Sequence, residues 1–140
     1  MSTVISLNLI QLISHCPSEM GGDELFLKLN GKRIWPITEK YFSARTELIP
    51  IKSEITLLNF GFVDLELCDY DNWLSSSCLG IFRVLIDRDT SFKNVYESDL
   101  IKRGKDFSSY SLLWEIVQRS SNIEGSALID KISTNTKTLF

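Results

Sequence analysis

The chain has 140 residues, 44% of them hydrophobic and 24% charged, enough for one domain that buries about two-thirds of its unfolded surface. That balance excludes a disordered chain, and no run reaches the roughly 20 apolar residues that a membrane-spanning helix needs. A formal net charge of −3 and a pI near 5.2 exclude a nucleic-acid partner held through phosphate contacts.

At the start of the chain Ile5, Leu7 and Leu9 alternate with Ser6 and Asn8, the period of a strand. The apolar face shifts at Leu9 and Ile10 before Leu12, which predicts a bulge or an edge. No basic leader or cleavage site accompanies this stretch, so a secretory signal is not expected and the location is read as cytoplasmic, with export by a signal-independent route left open. His15, the one histidine, and Cys16 then open a loop, "HCPSEMGG", in which Pro17 withdraws a backbone donor.

The segment "ELFLKLNGKRIW" predicts a hairpin. Leu25, Leu27 and Leu29 alternate with Phe26 and Lys28 and meet Asn30-Gly31, a pair that accepts the positive φ angles of a two-residue turn. The return strand, Lys32 to Trp35, is stopped by Pro36. From Thr38 to Pro50 the sequence reads as a long connection holding one short strand. Two further strands are expected at Ile55 to Leu58 and Phe62 to Cys68, the second with Val63, Leu65 and Leu67 inward and Asp64, Glu66 and Cys68 outward.

Asp69 and Asp71 then enter the loop "DYDNWLSSSCLG", and Leu79 to Asp87 resumes as a strand. A long polar loop follows, and its Lys102, Arg103 and Lys105 are a solvated basic cluster. "YSLLWEIVQ" satisfies both periods; the β-branched and aromatic residues in it favour a strand with Tyr110, Leu112, Trp114 and Ile116 on one face. Trp35 and Trp114 are read as core or half-buried residues. Residues 119–140 turn to Ser, Asn, Thr and Gly and are expected to form a tail that is mobile or docks on a partner. Cys16, Cys68 and Cys78 are an odd number without metal-ligand spacing, which suits a reducing compartment; Cys68 and Cys78 flank the loop and are able to approach one another.

Together these elements predict an all-β protein, an antiparallel β-sandwich of about eight strands over residues 1–118. The order of "GGDELFLKLNG" and "LELCDYDNWLSSSCLG" resembles the C2 domain family of calcium- and phospholipid-binding sandwiches, and the hairpin "DE-x-x-L-K-x-NGK-x-x-W" is similar to that of bacterial C2-like modules. The resemblance implies a calcium (Ca2+) site made by Asp23, Asp69 and Asp71 at converging loops. It also implies that Met20, Trp73 and Leu74 contact a membrane or a protein partner from the loop tips.

The ligand set is incomplete. Pro17 and Ser18 stand near the place of an earlier acid, and the third acid of the later loop falls among Ser75, Ser76 and Ser77. Any cation site is therefore expected to be weak or single. The other reading of the same residues is a solvated acidic rim in which Asp69 or Asp71 accepts backbone hydrogen bonds.

No phosphate-binding glycine loop, zinc spacing or nucleophile elbow is present, and any serine triad would have to use His15. The expectation is a non-enzymatic binding module. Its alternative is a calcium-independent interaction or structural module, which requires an apolar surface patch or an unprotected strand edge.

Overall fold

The structure is a computed structural model of the chain and describes residues 3–15, 23–43, 46–70, 77–102 and 109–120. Ten strands and no helix make up these residues: β1 (Thr3–Ser14), β2 (Glu24–Leu29), β3 (Lys32–Trp35), β4 (Phe42–Ser43), β5 (Leu48–Leu57), β6 (Gly61–Asp69), β7 (Ser77–Ile86), β8 (Tyr96–Glu97), β9 (Ile101–Lys102) and β10 (Ser109–Ser120).

They form two antiparallel sheets. One has the order β5-β1-β10-β8, with β9 also paired to β10; the other has the order β3-β2-β6-β7, with β4 also paired to β2. The alternating residues of the long strands meet between the sheets. Leu7 and Leu9 of β1, Leu25 and Leu27 of β2, Leu65 and Leu67 of β6, Phe82 of β7 and Leu112 of β10 are all buried in one hydrophobic cluster. This is the antiparallel sandwich that the alternation predicts.

The β2–β3 hairpin turns on Asn30 (φ 52°) and Gly31 (φ 79°), the positive angles that an Asn-Gly turn supplies. The face shift in β1 is a bulge. Leu9 pairs with Trp114 and Gln11 with Leu113, so Ile10 is the extra residue and the buried positions pass from Leu9 to Leu12. The helical alternative for residues 110–117 is excluded by the ladder of β10 with β1, and Trp35 and Trp114 are buried.

Two expectations need correction. The strand expected at Ile55 begins at Leu48, so the connection after Pro36 is shorter than read and among its described residues holds the two-residue β4. β5 is an edge strand, which tolerates a residue without an N–H at Pro50; Lys52, at φ 57°, lies where two residues of β5 oppose one of β1. The polar loop after Asp87 is also not uniform, because β8 and β9 within it close the edge of the first sheet on β10. Tyr96 of β8 stacks on Trp114 with ring centroids 4.7 Å apart. β10 pairs as far as Ser120, and the expected tail beyond it, residues 121–140, lies outside the described residues.

Candidate functional site

One end of the sandwich gathers the ends of β1, β6 and β9 and the starts of β2, β7 and β10. The His15 N–H donates to the Ser109 carbonyl at 2.9 Å, and the Tyr70 N–H donates to the Glu24 carbonyl at 2.7 Å. The chain thus leaves three strands and enters three others at the same rim.

Asp23 and Asp69 are brought together there. The Glu24 N–H, next in the chain after Asp23, donates to Asp69 Oδ1 at 2.9 Å, while the Tyr110 hydroxyl donates to Asp23 Oδ2 at 2.5 Å. The first bond ties β6 to the start of β2. The second crosses between the sheets from β10, where Tyr110 is buried. Both carboxylates therefore fasten the rim, Asp69 by accepting a backbone hydrogen bond across strands and Asp23 by accepting from a side chain of the other sheet. Asp71, Met20, Trp73 and Leu74 lie outside the described residues.

Calcium takes 6–8 oxygen ligands, and two carboxylates supply at most four. Among the described residues no group of three or more His, Cys, Asp or Glu side chains is arranged to hold a metal ion. Asp23 and Asp69 alone do not make a calcium cage. Tyr110→Phe is expected to remove the bond to Asp23 and cost about 1.5–3 kcal/mol, the range for a hydrogen bond to a charged group, measured by urea unfolding.

A second polar cluster lies beside the rim on the outer face of the first sheet. The buried Ser111 hydroxyl donates to Glu97 Oε2 at 2.6 Å and lies 2.9 Å from His15 Nε2. With its one proton directed to Glu97, the hydroxyl accepts from the imidazole. In a nucleophilic triad the hydroxyl proton passes to the imidazole, so this order is the reverse of a catalytic one.

No protein-family model and no curated protein matches the chain. Among solved structures, one described as the structure of a C2 domain is similar over 81% of this chain and 97% of its own length, with 12% sequence identity and a TM-score of 0.48.

The outer face of β6 and β7 holds what the loop reading missed. Phe62, Ile81 and Leu85 are 51%, 56% and 45% exposed, and Phe62 stands directly opposite Leu85 in the ladder. Between these apolar groups Arg83 makes a two-pronged ion pair with its cross-strand partner Asp64, both bonds 2.8 Å, and lies 5.2 Å from the centre of the Phe62 ring. The guanidinium, chiefly by hydrogen bonding, holds the Asp64 carboxyl below its usual range. β7 is also the edge strand of its sheet. The signal was present in "GIFRVLI", where Ile81 and Leu85 are apolar at positions whose alternation calls for polar side chains.

Cys68 and Cys78 stand opposite one another near the rim end of the same ladder. Burial first, and then the Glu66 carboxylate, push the Cys68 thiol up to about 12. A neutral thiol favoured by the fold stabilises it fully below the unfolded thiol's range, and that contribution is lost as pH rises through the folded value. Stability should therefore fall between about pH 9 and about pH 12, and Cys68→Ala should flatten that fall in urea titrations.

Proposed function

We propose that the chain is a non-enzymatic binding module of C2-like architecture whose partner is a protein covering the outer face of β6 and β7. The observation that carries this reading is the exposed cluster of Phe62, Ile81 and Leu85 on the outer face of β6 and of the edge strand β7. Several solvent-facing apolar groups on one sheet face, on a strand that has no further strand partner among the described residues, are features of an interaction surface. Asp64 is paired with Arg83 and Glu66 stands opposite Lys28, so this face carries no surplus of positive charge to hold anionic lipid, which favours a protein over a membrane. The reversed order of Ser111 and His15 supports the non-enzymatic reading. A reducing, cytoplasmic setting is part of the proposal on the odd cysteine count.

A weak calcium site at the rim is the second reading. It rests on Asp69 accepting from the Glu24 amide, next in the chain after Asp23, with Asp71 two residues further on.

The two readings separate in one set of samples. On the first, replacing Ile81 and Leu85 with Lys removes the protein complex, leaves the melting temperature within about 2 °C because exposed positions contribute little, and chelator has no effect. On the second, millimolar calcium raises the melting temperature, and Asp69→Asn with Asp71→Asn abolishes the rise.

A further inference from the structure

We propose that Cys68 and Cys78 are a paired oxidation site that closes to a reversible cross-strand disulfide between β6 and β7. The two residues are direct partners in the antiparallel ladder. Opposed residues in such a ladder have Cα atoms about 4.5 or 5.5 Å apart, within the range of about 4.4–6.8 Å that a disulfide spans.

Both side chains lie on the outer face. Leu67 pairs with Gly80 and Cys68 with Cys78, so Leu79 is the extra residue of a bulge that leaves both cysteines on the side of Glu66. The Glu66 carboxylate acts on both thiols, and each thiol acts within reach of Lys28 as well, which places the two sulfurs in one small neighbourhood. Both cysteines are free thiols, Cys68 buried and Cys78 exposed. The exposure sets the order of events.

With glutathione disulfide as the oxidant, the Cys78 thiolate attacks one of its sulfurs, forming a mixed disulfide and releasing one glutathione thiolate. Cys68, having given its proton to solvent, then attacks the Cys78 sulfur. The Cys68–Cys78 bond forms, the bond to glutathione breaks, and a second glutathione thiolate leaves. The two thiolates take up two protons; the protein is oxidised by two electrons and the glutathione disulfide is reduced. The product staples the ladder next to its last pair, Asp69 with Ser77, where the chain leaves β6 for the loop.

The full chain, and the same chain with Cys16→Ser, should be incubated with glutathione disulfide under native conditions and in urea. Remaining thiols are then alkylated, and the chain is cut with a protease specific for aspartate, which separates the two cysteines at Asp69 and Asp71. The expected native product is a linked Cys68–Cys78 peptide pair, with the ratio of internal disulfide to mixed disulfide at least tenfold higher than in urea. In Cys78→Ser the buried Cys68 should stay unmodified under native conditions. Glutathione retained on Cys78 with Cys68 reduced, or a native ratio no higher than that in urea, would overturn the assignment.

Discussion

Phe82→Ala should cost about 3–5 kcal/mol and lower the urea midpoint by roughly 2 M, among the largest losses expected of a single truncation at the described residues. Phe82 is among the largest fully buried side chains, at 1% exposure, and points from β7 into the cluster shared by both sheets. Removing its ring takes away burial and leaves a cavity that neighbours of fixed rotamer cannot fill. Phe62→Ala, one strand away, removes the same ring from the opposite face, where it is half exposed and touches Arg83. It should cost no more than about 1 kcal/mol. The contrast separates the core from the outer face with identical chemistry. Equal losses from the two variants would mean that the faces of this sheet are assigned wrongly.

Gly80→Ala is the second large effect, and its cause is space rather than backbone conformation. A Cβ on Gly80 would lie 2.4 Å from Ile101 Cγ2 and 3.2 Å from Ile101 Cγ1. Ile101 is buried and held in β9 by its pairing with Tyr110 of β10. Its branched carbons cannot swing away as the end of a long side chain would. The glycine lets β9 of one sheet close over β7 of the other at their shared edge. The alanine should therefore cost about 1–3 kcal/mol through overpacking. In the double variant with Ile101→Ala the offending carbons are gone, so the combined loss should be smaller than the sum of the two single losses. Additive losses in urea unfolding would show that the two residues do not meet.

The parts of the fold that were legible in the sequence are those whose signals are local. Asn30-Gly31 marks its hairpin by backbone preference alone, and the shift from Leu9 to Leu12 marks the bulge in β1 because buried positions must change parity there. Tyr110, Leu112, Trp114 and Ile116 announced their buried face by alternation. β4, β8 and β9 have two residues each and therefore no periodicity to read. The start of β5 at Leu48 was hidden by Pro50, which an interior strand would reject and an edge strand accepts.

For the candidate site the division is similar. The order of two motifs named Asp23 and Asp69 as candidates, whereas the bond from Tyr110 to Asp23 joins residues 87 positions apart and leaves no local trace. The exposed apolar side chains of β7 were readable in principle, since "GIFRVLI" carries more apolar residues than one buried face requires. The core reading absorbed them.

The most direct test is a position-resolved photocross-linking experiment in cells that make the protein. A cross-linking amino acid is placed at Leu85 on the outer face of β6 and β7, or at Tyr41 near the rim, where its ring stacks on Tyr70. The account predicts a discrete protein adduct from Leu85 that disappears when Ile81 is also changed to Lys and persists in chelator, with no corresponding adduct from Tyr41. An adduct formed from Tyr41 and not from Leu85, and lost in chelator, would contradict the account and place function at a calcium-dependent rim.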